Sequence, residues 1–218
     1  MKIKTIKFRK EKLDLLRPYT IAYKTVSNVE SCFVWVEAEN GMVGIGATNP
    51  SPYVVGKSND DVMDAFEAGE ADAYIGRDIR EFRSLCEALH TQFPNRPGIK
   101  AALDIAFHDL FTQYLGISLV KYLGQKIEQL PTSITIGIKS VEETIEEAEE
   151  YIGREFQILK VKLGHSLEVD LERLRKLRER FGSDIGIRVD ANQGYSVVDT
   201  IAFHNQTQNL SIELVEQP

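Results

Sequence analysis

Cysteine is scarce in this chain: Cys32 and Cys86 are the only two among 218 residues. They lie far apart and without metal-type spacing. That excludes a disulfide framework and a zinc knuckle, and leaves two buried thiols in a reducing cytoplasm as the expectation. Positive charge is also short. Against 33 Asp and Glu stand 26 Lys and Arg, for a net charge of −7, and a surface that repels phosphate excludes nucleic acid as a partner. No apolar run approaches the roughly 20 residues of a membrane span. The opening MKIKTIKFRK has no hydrophobic stretch of the secretory kind, so neither a membrane partner nor export is expected. Neither a P-loop nor G-x-G-x-x-G occurs, which leaves no glycine cradle for a nucleotide.

What is present is ordinary in bulk: 43% hydrophobic and 27% charged residues, enough for one or two domains with real cores. The rhythm differs between the halves. In the first, CFVWVEAENGMVGIGAT reads as two strands joined at Asn40-Gly41, a two-residue hairpin signal. KAALDIAFHDLFTQYLG reads as a helix through Leu103, Ala106, Leu110 and Tyr114, closed by Gly116. Strands followed by helices predict an α+β unit over residues 1–125.

The second half, 126–218, alternates. TSITIGI is a strand, and SVEETIEEAEEYIG a helix with a Ser140/Glu143 capping box, closed by Gly153. QILKVKL is a strand, Ser166 to Phe181 a helix ended by Gly182, IGIRVDAN a strand, Ser196 to about Asn209 a helix, and IELVEQP a fourth strand. The charge run EETIEEAEE reads as a solvated helix face. Such alternation predicts parallel β/α units. The fold class is therefore α/β with an α+β domain in front. Four parallel strands form half a barrel with two raw edges, so the chain is expected to be the front of a longer protein or one piece of a split one.

The polar residues of these strands fall into line. Side chains alternate along a strand, so Lys160 and Lys162 share a face opposite Leu159, Val161 and Leu163. For a lone strand, a lysine face turned to solvent is the ordinary explanation. Asp190 and Glu216 follow Lys162 by steps of 28 and 26 residues, each about one β/α unit, at the C-terminal ends of successive strands. Either acid alone reads equally as a turn residue or a solvated strand end. Together with the lysines they match the end of a β/α barrel where chemistry sits. Two convergent carboxylates suit a hard cation such as Mg2+. A third acid would then be needed one unit beyond Glu216. Two neighbouring amines, each disfavouring the other's charge, make a lysine of lowered pKa that can serve as a base. His165, just after the lysine strand, reads as a solvated loop residue.

In K-x-K within FQILKVKLG, D-x-N within RVDANQGY and the closing IELVEQP, with TIKF…RPYTIAYKTVSNVES and LVKYLG before them, the chain resembles the enolase superfamily. The match is to its muconate-lactonising subgroup and, most of all, to Ala-Glu-type dipeptide epimerases. The resemblance runs over essentially the whole chain. It implies an enolase-like N-terminal capping domain (1–125) followed by the first half of a TIM-type β/α barrel (126–218), incomplete. It also implies a Mg2+-dependent cytoplasmic isomerase that epimerises dipeptides by 1,1-proton transfer through an enediolate.

By the same resemblance, Lys162 is the acid/base on one face of the α-carbon, and Lys160 lies near the substrate carboxylate. Asp190 and Glu216 are metal ligands, and Asn192 supports them from behind. Thr135 and Lys24 contact substrate, and the loops at 19–25 and 50–56 close over the site. Lys24 stands where Ala-Glu epimerases tend to carry arginine; it keeps the charge without the bidentate fork. GIGATNP lacks the glutamate usual after the hairpin. The third metal acid and the opposite-face lysine of the family are not among these residues. The expected partners are a small-molecule dipeptide and either a second copy of the chain, as a homo-oligomer, or the missing barrel half. The alternatives are a cycloisomerase, an o-succinylbenzoate synthase, an N-acylamino-acid racemase, or a non-catalytic truncated fragment.

Overall fold

The computed structural model describes residues 1–218. They divide into two compact units: Met1–Asp14 with Asn28–Glu128, and Leu15–Ser27 with Gln129–Pro218.

The first unit holds most of a three-stranded sheet in the order β1 (Ile3–Ile21), β2 (Lys24–Ala38), β3 (Val43–Thr48), the adjoining ends of β1 and β2 within Leu15–Ser27 falling in the second. The β2–β3 hairpin forms where Asn40-Gly41 predicts it, with a loop of three residues instead of two. Ala38 N–H bonds to Met42 O at 2.9 Å, and Gly41 N–H to Ala38 O at 2.9 Å, with Gly41 at φ 85°. A three-residue hairpin loop closed by a left-handed residue suits the strand twist, and glycine occupies that position without steric cost. Helices follow: α1 (Pro52–Val55), α2 (Asn59–Glu67), α3 (Phe82–Gln92), α4 (Pro97–Leu115) and α5 (Leu119–Tyr122). The glycines of GIG make the main contact possible. A Cβ on Gly44 would run into Ala106 O, and one on Gly46 into Ala102 O, so the backbone of α4 lies directly on β3. Leu103, Ala106 and Leu110 are buried, Tyr114 is exposed, and Gly116 closes α4 in the left-handed conformation.

In the second unit the expected parallel strands form an open sheet in chain order: β4 (Ser133–Ile136), β5 (Ile158–Lys162), β6 (Gly186–Asp190), β7 (Ile212–Glu216). Between them run α6 (Val141–Gly153), α7 (Leu167–Phe181) and α8 (Val197–Thr207). Ser140 and Glu143 make the capping box of α6, and Ser196 with Asp199 makes another on α8. Gly153 does not close α6. It is the last helical residue, and Glu155 makes the left-handed turn at φ 68°.

One face of the sheet carries Leu159, Val161, Leu163, Ile187 and Val189. It packs on Ala148, Leu171, Leu174, Leu177 and Phe203 of the helices. Each fully buried aliphatic side chain stabilises the unit by roughly 1.5–3 kcal/mol. This packing decides which strand face is left for chemistry. No helix is long and apolar enough to cross a membrane.

Candidate active site

The face turned away from the helices carries the polar residues in two rows. Strand register sets Thr135, Lys160, Arg188 and Leu214 abreast. One step toward the strand ends, Lys162, Asp190 and Glu216 stand abreast. Layers of this kind follow from the two-residue period once neighbouring strands are in register.

Asp190 is the centre of the second row, with only 1% of its side chain exposed. Its Oδ2 accepts from Lys162 Nζ at 2.6 Å and lies 3.1 Å from Lys160 Nζ. Its Oδ1 accepts from Asn192 N–H at 2.9 Å. Lys160 Nζ also donates to Glu216 Oε2 at 2.5 Å, and Lys162 Nζ to Asn192 Oδ1 at 3.2 Å. The lysine ammoniums therefore sit among the carboxylates rather than in bulk water; their side chains are 24% and 12% exposed. Asn192 and Gln193 both adopt positive φ, 50° and 63°, and Gln217 does so at 40°. Unfavourable backbone is concentrated at the strand ends where the polar group lies.

The charges explain one reversal. Burial alone would lower the pKa of Lys160, but hydrogen bonds to Glu216 and Asp190 outweigh it and carry the ammonium above its usual range. The expectation of mutual lowering by two amines does not hold for Lys160, because its ammonium lies against two carboxylates that outweigh that repulsion. Burial likewise would raise Asp190, yet its bonds to Lys162, Lys160 and the Asn192 amide bring its carboxyl below the normal value.

Thr135 stands beside Lys160 on β4, half-buried. It borders a cavity of about 60 Å3 shared with Tyr19, Gly137 and Glu147. Lys24 lies outside the hydrogen-bonded group, on the exposed hairpin tip, with its Nζ 6.0 Å from the Tyr23 ring centroid. His165 is exposed. The Pro50–Gly56 segment belongs to the first unit, where Pro52–Val55 form one helical turn.

The donors suit a hard divalent cation. A single nitrogen touches both Asp190 and Glu216, so their oxygens already converge on one point, and oxygen is the donor such ions take. Two buried charged residues behind the site, Asp170 and Arg173, escape motif reading. The signal for them is their position inside the apolar arc of α7, between Leu167 and Leu177.

Comparison with known proteins places the chain in a family. Residues 3–124 match the family model of the mandelate racemase / muconate lactonizing enzyme N-terminal domain, and residues 143–218 match the enolase C-terminal domain-like model. An L-Lys-D/L-Arg epimerase from Desulforapulum autotrophicum is 49% identical over the whole chain, which covers 61% of that protein. A dipeptide epimerase from Methylococcus capsulatus, solved with Mg and the dipeptide L-Arg-D-Lys, superposes with a TM-score of 0.96 at 41% identity, over 100% of this chain and 62% of its own. One from Enterococcus faecalis V583, with Mg and L-Leu-L-Tyr, gives 0.91 at 33% identity, over 100% and 61%. The chain thus spans about three-fifths of the length of the curated relatives it matches. Matched in sequence over both halves and in fold throughout, the chain belongs to the mandelate racemase / muconate lactonizing enzyme family of the enolase superfamily.

Proposed function

We propose that this chain supplies one side of the active site of a dipeptide epimerase that moves a proton on and off an α-carbon. The observation that carries the reading is the row Lys162–Asp190–Glu216 with Lys160 beneath it, bound together at 2.5–3.1 Å on one sheet face.

In its neutral form, Lys162 takes the α-proton of one stereoisomer, and the electron pair of the broken C–H bond moves into the neighbouring carbonyl group to give an enediolate. Lys160 keeps its positive charge next to that oxygen and stabilises the anion that develops there. Asn192 and Asp190 hold the Lys162 amine in place. Return of a proton from the opposite side, by an acid outside these residues, completes the inversion. Asp190 and Glu216 would hold Mg2+, which supplies positive charge for the substrate carboxylate during enolisation. Thr135 and Lys24 are the substrate contacts of this reading.

For the substrate, dipeptides with cationic residues fit better than Ala-Glu. The two relatives at 49% and 41% identity are L-Lys-D/L-Arg epimerases, whereas an L-Ala-D/L-Glu epimerase from Bacillus subtilis stands at 31%. The test is solvent-deuterium exchange at the α-carbon in a polypeptide that joins these residues to a complete barrel, assayed with L-Lys-D-Arg and L-Ala-D-Glu. Lys162→Ala should abolish exchange from one stereoisomer, and the cationic dipeptide should be preferred. Undiminished exchange of both isomers in Lys162→Ala rules the base assignment out.

A further inference from the structure

Behind the lysine–carboxylate group lies a polar knot that the proposed reaction does not use. Arg173 of α7 is wholly buried. Its guanidinium donates from Nη2 to Gly137 O, just past β4, at 2.7 Å. It donates from Nη1 to Lys162 O at the end of β5, at 2.9 Å, and from Nε to Thr144 Oγ1 of α6, also at 2.9 Å. Asp170, one turn earlier on the helix, meets Nη1 at 3.3 Å. Its other oxygen accepts from Gly164 N–H at 2.9 Å and from Tyr195 Oη at 2.8 Å. A single ion pair thereby ties together the ends of β4 and β5 and the segment that follows β6.

Such a pair is a poor way to gain stability, because apolar residues of similar size fill a core at lower desolvation cost. Its placement is more informative. The peptide joining Lys162 to Leu163 is pinned at both ends: Arg173 holds its carbonyl, and its N–H donates to Asp190 O at 2.9 Å. The next N–H along, that of Gly164, is held by Asp170. There Gly164 packs so tightly on Ala191 that a Cβ would collide with the Ala191 carbonyl. With the two peptides that follow Lys162 fixed, the direction in which its side chain leaves the strand is constrained from the C-terminal side.

We propose that Arg173 and Asp170 are positioning residues. By clamping the backbone on the C-terminal side of Lys162 they hold its amine on the Asp190–Asn192 side of the site, within reach of a substrate α-carbon. The proposal rests on Lys162 being the base. A reach error of ~1 Å at such a group costs about a hundredfold in rate, which explains why a desolvated ion pair is kept where apolar packing would serve stability better.

The test reads geometry without turnover: acetylation of the purified chain under limiting reagent, with the labelling rates of Lys162 and Lys160 compared by mass mapping. R173M/D170L removes both charges and leaves an apolar pair. Lys162 should then label about tenfold faster relative to Lys160, the equivalent of about one lost hydrogen bond to a charged group, with far-UV circular dichroism unchanged. R173K, which keeps the charge and reaches fewer acceptors, should fall between. An unchanged Lys162/Lys160 ratio in folded R173M/D170L overturns the proposal, as does equal acceleration of both lysines. Where the double variant does not fold, R173K decides, and an unchanged ratio there overturns it too. The exchange assay of Lys162→Ala tests the base assignment separately, so either conclusion can fail alone.

Discussion

Replacing Asp190 by asparagine probes the charge group at its centre. The carboxylate is 1% exposed and takes contacts from two ammoniums at 2.6 and 3.1 Å, and from a backbone amide at 2.9 Å. The amide side chain can keep the Asn192 bond but turns a neutral group toward both lysines. Lys160 retains Glu216 at 2.5 Å, whereas Lys162 is left with only the Asn192 oxygen at 3.2 Å. One charge-assisted bond is therefore lost outright and a second is weakened. At about 1.5–3 kcal/mol for each such bond, less what the lysines recover by reaching water, Asp190→Asn should cost roughly 2–4 kcal/mol.

The assay is urea unfolding followed by far-UV circular dichroism. The single tryptophan, Trp35, lies in the other unit and would not report on this one. A fall in midpoint at constant m isolates the stability change. In the double variant with Lys162→Met the removed charge no longer needs its partner, so part of the loss should return, with a coupling energy above about 1 kcal/mol. A loss below about 0.5 kcal/mol, or strictly additive single variants, would mean that the lysine–carboxylate bonds do not form in solution, and the site's geometry would fall with them.

Two other perturbations test the frame that holds the site. Glu147 of α6 is buried beneath the hairpin tip, and burial would raise its carboxyl, but bonds to Lys139, Tyr151 and Arg17 hold it below the usual range. A carboxyl lowered on folding contributes stability above its unfolded pKa of about 4.3 and loses it as pH falls through the folded value. Hydrogen-exchange protection across residues 15–27, taken relative to the intrinsic rate at each pH, should accordingly fall as pH drops below about 4, and Glu147→Gln should show low protection at neutral pH as well; protection independent of acid contradicts this. In the first unit, Gly46→Ala would drive a methyl into the Ala102 carbonyl of α4. It should destabilise by about 1–3 kcal/mol in Trp35-detected urea unfolding, and a neutral effect would show that α4 does not rest on β3.

Much of the site was legible in the chain because strands have a period of two and β/α units a nearly constant length. Those two regularities place Lys160 and Lys162 on one face and bring Lys162, Asp190 and Glu216 abreast at strand ends. The helix starts at Ser140 and Ser196 were legible for a similar reason, since a capping box is closed within four residues. Details of chain reversal were less so. Asn40-Gly41 marks a turn, but whether two or three residues span it depends on strand register. Helix α6 passes through Gly153 because the left-handed position falls two residues later, on Glu155.

What local pattern determined, then, is the order of the elements, the shared face of the reactive residues and their family. Which of the two faces turns from the helices was settled by packing, because only the burial of Leu159, Val161 and Leu163 against α6 and α7 leaves the lysines on the other side. The ionisation of Lys160 was settled by distance, since Coulomb and hydrogen-bond energies depend on ångströms that no spacing in sequence contains. The burial of Arg173 and Asp170 belongs to the same class. Their place in the apolar arc of α7 hints at burial, but their partners are met only when α7 lies against the ends of β4 and β5.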